Sequence, residues 1–218
     1  MKNSIFILFL AFLSACTPKI DQNNRIKEDV TFLASDALEG RQTGTEGEKK
    51  AATYISKRFS ELSLLAKGTE KYLQPFTFKP KTNPHNEVKF DVNGDGTITG
   101  NNVIGFINNK AENTIIIGAH YDHLGYGGEG SLYRDSIKAI HNGADDNASG
   151  IAVMLNLAAK LKEKNTNNNY LFMAFSGEEM GLLGSNYFVK NPTIDTKKVS
   201  YMINMDMVGR MKKDSSLA

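Results

Sequence analysis

Carboxylates and imidazoles cluster at four points of this sequence, each just after an apolar run. They are Gly118–His123 (GAHYDH), Gly143–Gly150 (GADDNASG), Phe175–Gly181 (FSGEEMG) and Met202–Gly209 (MINMDMVG). Acids placed against a core are costly to keep charged unless a cation neutralises them, and a pair of divalent ions does so. The chemistry this points to is metal-assisted hydrolysis. In His120-x-Asp122 the imidazole suits a metal, and the carboxylate two residues on can orient it from behind. Taken alone, a histidine at a strand end is more often structural, and adjacent acids such as Asp145-Asp146 or Glu178-Glu179 more often make a solvated turn. Their Gly- and Ala-rich settings between core runs favour the metal. Hard oxygen ligands with an imidazole suit Zn²⁺, and Mn²⁺ or Co²⁺ fit the same mixture.

Something must bring these segments together. Ile115–Gly118, Tyr170–Phe175 and Val199–Met205 read as buried strands, joined by Val103–Ile107 and flanked by Pro75–Phe78 and Glu87–Phe90. Ile26–Ala37, Lys49–Leu62 capped by Thr45, Asn147–Leu161 and Met180–Val189 carry helical periodicity. Alternating strands and helices over residues 103–206 predict an α/β/α sandwich of three layers on a central mixed, largely parallel sheet. Ligands of such sheets gather outside the carboxyl ends of the strands, where all four acidic segments would fall. Asp145 and Asp146 would also meet the positive end of the helix that follows them. Asp91–Gly96 begins like a calcium loop, but position twelve would be Asn102 and no helices flank it, so Asn93-Gly94 and Asp95-Gly96 read as hairpin turns.

The 218 residues are enough for one domain burying roughly 70% of its unfolded surface. A net charge of +2, with no basic block interleaved with aromatics, speaks against a nucleic-acid partner. One cysteine excludes an internal disulfide. Met1–Ala15 has a basic start and an apolar stretch, Ile5–Leu13, too short to span a bilayer. It reads as a signal peptide. Leu13-Ser14-Ala15-Cys16 resembles the bacterial lipobox, which implies acylation of Cys16, a polar tether over residues 16–24 and a domain over 25–218. The alternative is a secreted protein with an incidental cysteine. Localisation is then the bacterial envelope, lipid-anchored at the outer membrane or periplasmic side, or secreted.

LASDALEGRQTGTEGEKKAA (33–52), NNVIGFI (101–107), GAHYDHLG (118–125), HNGADDNASG (141–150), FSGEEMGLLGS (175–185) and INMDMVG (203–209) together resemble the co-catalytic di-zinc aminopeptidases, relatives of glutamate carboxypeptidase and glutaminyl cyclase. The resemblance implies a zinc-dependent exopeptidase acting on peptides. Asp145 would bridge two zinc ions, His120 and Asp206 would complete the first site, and Glu179 would hold the second ion. Glu178 would be the general base towards the attacking water, and Asp122 would hold His120. A cis peptide would follow the bridging aspartate, between Asp145 and Asp146. The family also has a histidine well downstream of the final aspartate, and the sequence ends at Ala218 without one. The expectation is therefore an incomplete domain that holds one zinc tightly. The alternatives are a non-catalytic fragment of the same fold or a single-zinc transferase like glutaminyl cyclase.

Overall fold

The computed structural model describes residues 22–80, 87–128, 131–135, 137–164 and 167–210. Met1–Ala15 and Cys16 lie outside them. Two helices open the chain, α1 (Gln22–Leu33) and α2 (Glu46–Glu61), followed by β1 (Leu65–Ala66), β2 (Leu73–Phe78), β3 (Ile98–Ile107) and β4 (Thr114–His120). Then come α3 (Gly150–Lys164), β5 (Asn169–Phe175), α4 (Leu183–Lys190) and β6 (Val199–Asn204). No helix among the described residues is long and apolar enough to cross a membrane.

The sheet is mixed, in the order β1-β3-β5-β4-β6, with β2 also pairing along β3. β4 runs parallel to both β5 and β6, in the registers Ile117↔Phe172 and Ile117↔Ile203. β3 is antiparallel to β1, β2 and β5, so the parallel part is confined to β5-β4-β6. Every residue of β4 and of β5 is buried, the pattern of strands covered on both faces. Alternation splits the apolar residues between two layers. Ile115, Ile117, Val103 and Phe172 join Ile55 and Phe59 of α2 and Ile151 and Leu155 of α3. Ile116, Ile104, Leu171 and Met173 meet Phe188 of α4 on the other face. Gly105 has no side chain because Phe59 lies there; a Cβ would stand 2.8 Å from its ring.

Helix boundaries follow local chemistry. Thr45 caps α2 by accepting from the Glu48 amide, as expected. α1 begins at Gln22, inside the stretch read as tether, and ends at Leu33 rather than Ala37 because Asp36–Arg41 forms a separate turn. It is pinned to α2 where the buried Asp29 accepts from Tyr54 Oη and Arg58 Nε. α3 starts at Gly150 and not at Asn147, because Asp146 and Asn147 hold non-helical torsions. Glu87–Phe90 contributes only one bridge, Phe90 to Phe78.

Candidate metal centre

Three adjacent parallel strands end on one edge of the sheet, and each delivers a ligand there. β4 ends at His120, β5 leads into Ser176–Glu179, and β6 into Asp206. The crossover from β4 to β5 passes through α3, whose approach loop, Ala144–Ser149, lies over the same edge.

The centre is organised around His120, which is 3% exposed. Its Nε2 faces Asp146 Oδ1 at 3.1 Å, Asp206 Oδ1 at 3.4 Å and Glu178 Oε2 at 3.9 Å. That nitrogen is buried and makes no well-aligned hydrogen bond. Nδ1 is turned to Asp122, 3.2 Å from its carbonyl oxygen and 3.6 Å from Oδ1. Burial alone would lower the His120 pKa, but Asp122, Asp146 and Glu178 outweigh it and push it up to about 11. The acids around this imidazole thus favour positive charge at the site. An imidazole fixed from behind, with its outer nitrogen aimed at two carboxylates, is a donor set that fits a divalent ion. Ligand atoms of His120, Asp146 and Asp206 lie within 4.8 Å of one another, as do those of His123, Asp146 and Glu179. Asp146 belongs to both groups.

Of the two neighbouring aspartates the structure places Asp146, not Asp145, among these groups, and this corrects the sequence expectation. Asp145 turns away. Its oxygens accept from the Gly209 amide at 2.9 Å and Arg210 Nε at 2.7 Å, so it anchors the chain after Asp206. The cis peptide moves by the same single residue, to Asp146-Asn147. Asn147, fully buried, donates to the Met205 carbonyl and accepts from the Met207 amide, clasping the backbone on both sides of Asp206.

Asp122 accepts from three donors, the Thr43 hydroxyl and the backbone amides of Glu178 and Glu179. It thus couples His120 to the loop after β5. Thr43 and Ser176 extend the network to Glu48, a buried carboxylate that also accepts from the Gly44 and Asn101 amides. Burial raises the Glu48 pKa against these bonds. Glu178, one-third exposed on the rim, is likewise pushed up, chiefly by desolvation and then by neighbouring carboxylates against the pull of His120. It lines a cavity of about 230 Å³ with His120, Asp206, Phe175 and Met202.

Arg41 is the residue that sequence patterning missed. It is 1% exposed, and its guanidinium donates to the carbonyls of Tyr121 (2.7 Å), Asn142 (2.7 Å), Gly143 (3.0 Å) and Leu33. Burial lowers its pKa to about 10 even with Asp122, Asp146 and Glu179 nearby. One side chain so ties α1, the end of β4 and the loop that carries Asp146. Gly143 sits at φ +57°, and a Cβ there would come within 2.3 Å of the Asp146 carbonyl oxygen. The only trace of Arg41 in the sequence is a charged residue in a Gly/Thr-rich loop.

The comparisons agree with this architecture. Residues 102–217 match the model of Peptidase family M28. A probable leucine aminopeptidase of Trichophyton verrucosum is 40% identical over 118 residues, 51% of this chain and 29% of its own. Among solved structures, a Zn-dependent exopeptidase from Parabacteroides distasonis superposes with a TM-score of 0.69 at 20% identity, covering 88% of this chain and 63% of that one. A glutaminyl cyclase from Bacteroides thetaiotaomicron gives 0.66 at 18% identity, covering 88% and 63%. The chain thus spans less than two thirds of the length of each of these proteins. With the family model matching more than half of its residues, the chain belongs to Peptidase family M28.

Proposed function

We propose that this chain carries the catalytic centre of a zinc-dependent aminopeptidase, which hydrolyses N-terminal residues from peptides. The observation that carries the reading is His120 Nε2, buried without a hydrogen bond and aimed at Asp146 and Asp206, with Glu178 beside them. His120, Asp146 and Asp206 would hold the ion. When bound, zinc supplies positive charge that polarises a scissile carbonyl and acidifies the attacking water. The protein groups do the rest. Asp122 fixes the His120 ring and, through two backbone amides, the position of Glu178. Glu178 takes the proton from the attacking water and passes it to the leaving amine. Surplus carboxylate on the rim gives the free amine of a substrate an ionic partner, which suits removal of N-terminal residues. The name of the Trichophyton relative supports the same activity.

The lipobox-like Leu13–Cys16 supports a lipid-anchored protein of the bacterial envelope, with Met1–Ala15 removed. Loss of membrane fractionation in Cys16→Ser tests it; unchanged fractionation and mature mass would refute the anchor.

A glutaminyl-cyclase-like transferase is the second reading, favoured by the slightly lower but similar fold likeness to that enzyme. A panel of peptides separates the two. Release of free N-terminal amino acids, lost on chelation and restored by zinc, is expected for the peptidase. Cyclisation of N-terminal glutamine without release would support the transferase. In Glu178→Gln, turnover should fall 10²–10⁴-fold, about 3–5 kcal/mol of barrier, with zinc content retained. Near-normal release by that variant would show that the proton is handled elsewhere.

A further inference from the structure

Behind the metal centre lies a carboxyl group that the proposed reaction does not use. Glu48, on the first turn of α2, is fully buried. Its hydrogen-bond partners are neutral: the amides of Gly44 (2.9 Å) and Asn101 (3.0 Å) and the hydroxyls of Ser176 (2.7 Å) and Tyr121 (2.9 Å). The protons around it do not suffice for a carboxylate. Tyr121 has a single hydroxyl proton and two close oxygens, the Asn101 carbonyl at 2.6 Å and Glu48 Oε1 at 2.9 Å. The carbonyl can only accept and is the nearer, so it takes that proton. Tyr121 Oη and Glu48 Oε1 then meet as two acceptors unless the acid itself carries a proton. We propose that Glu48 is a neutral carboxylic acid that donates to Tyr121 Oη, and that in this form it is a positioning residue for the metal centre. The positioning role rests on the reading that His120, Asp146 and Asp206 hold an ion.

The surroundings favour the neutral form. A carboxylate without a cationic partner in a dry site is costly, and such a group gives up its charge instead. Burial raises the Glu48 pKa; burial and then Glu48 raise that of Tyr121, so the phenol keeps its proton too. The elements packed around Glu48 bring it no cation. β3 and the loop after β5 face it with the Asn101 amide and the Ser176 hydroxyl, and β4 with Tyr121. Asp122 stands beyond Thr43, and Lys49 on the same helix pairs outward with Glu46. Location gives the acid its role. Tyr121 adjoins His120, and Ser176 lies two residues before Glu178. Thr43, 3.3 Å from Ser176 Oγ, donates to Asp122 at 3.1 Å. One side chain of α2 thus joins β3 to the ends of β4 and β5. Ionisation would set Tyr121 Oη and Glu48 Oε1 against each other as acceptors and add a negative charge behind an edge already rich in acids. The strand end that carries His120 would loosen.

Infrared spectroscopy of the zinc-free chain at about pH 7 reads the proton directly, since a protonated acid and a carboxylate differ in their carbonyl stretch. The acid band should be present in the wild type and missing from Glu48→Gln. It should shift in Tyr121→Phe, which removes the acceptor and leaves the ring. No band lost in Glu48→Gln, or a band that Tyr121→Phe leaves unmoved, would overturn the assignment. Urea unfolding gives a second reading. With a folded-state pKa above the unfolded one, wild-type stability relative to Glu48→Gln is greatest below the ordinary carboxylate range and is lost as pH rises through the raised value. A difference that stays flat from about pH 4 to 8 would refute the neutral acid. Positioning is read by titration with zinc. Glu48→Gln, which keeps a neutral donor, should bind zinc within a few fold of the wild type. Glu48→Leu, which keeps none, should bind about 10–100-fold more weakly, the usual loss when an outer partner is removed. Tyr121→Phe cuts the same link without emptying the site; it should lose affinity in that range and serves where Glu48→Leu does not fold. Wild-type affinity in both of these variants, or an equal loss in Glu48→Gln, would remove the positioning role. A wild type that binds no zinc would overturn the zinc reading and the positioning role with it, while the infrared band still decides the proton.

Discussion

Two neighbouring aspartates do opposite things in this centre. Asp146 faces His120 and, through its second group of neighbours, His123 and Glu179, whereas Asp145 faces Gly209 and Arg210. Asp146 is held below the ordinary carboxylate range, first by the close approach of the His120 imidazole. Asp146→Asn removes a charge common to both cation groups and should abolish tight zinc binding. Asp145→Asn should leave zinc affinity within a few fold and loosen only the segment after Asp206. Isothermal titration with zinc decides between them, and a larger loss in Asp145→Asn would restore the original register. The sequence could not separate the two, because they lie in a loop where no periodicity dictates which side chain faces in. His120, Asp206 and the Glu178-Glu179 pair were legible because each follows a strand whose end the apolar pattern marks.

Among the elements, the strands were the most legible and the loops the least. β4 and β5 are short, continuous apolar runs that can only be buried, and their expected limits agree with the structure to within two residues. β3 was read five residues short, because Ile98–Asn102 is polar enough to pass for a turn until β2 pairs along it. The Asp36–Arg41 turn was invisible as structure, since its role is set by what Arg41 reaches far along the chain. Replacing that arginine isolates its contribution. Arg41→Met leaves four carbonyls without their donor, at roughly 1–3 kcal/mol for each that stays unsatisfied, though relaxation and water will reduce the sum. An overall loss of about 3–5 kcal/mol is expected, read as a lower midpoint in urea. Arg41→Lys keeps the charge but not the planar fork. It should recover part of the stability and still bind zinc about 10–100-fold more weakly, because the loop carrying Asp146 is no longer gripped from both sides. Equal zinc affinity in Arg41→Lys and wild type would reduce Arg41 to a packing role.

For the molecule as a whole, topology creates a charge problem that a bound cation would resolve. Three parallel strands in the order β5-β4-β6 discharge onto one edge, and the crossover through α3 adds Asp146 to it. Glu178, Glu179, Asp146 and Asp206 are thereby gathered around two imidazoles, with Asp122 buried behind. The groups that offset such a cluster are His120, whose pKa the carboxylates raise, and the buried Arg41. Folding and zinc binding are therefore expected to be coupled. At free zinc of 100–1,000 times the dissociation constant, binding to the folded state alone adds about 2.7–4.1 kcal/mol. For a chain of this size each kcal/mol moves the thermal midpoint by roughly 2–4 °C, so removal of zinc should lower it by about 5–16 °C. Returning zinc should restore it, and Asp146→Asn should be nearly insensitive to either treatment. A midpoint that ignores chelation in the wild type would mean that the carboxylates of this edge are neutralised without an ion, and the zinc reading of the centre would fall with it.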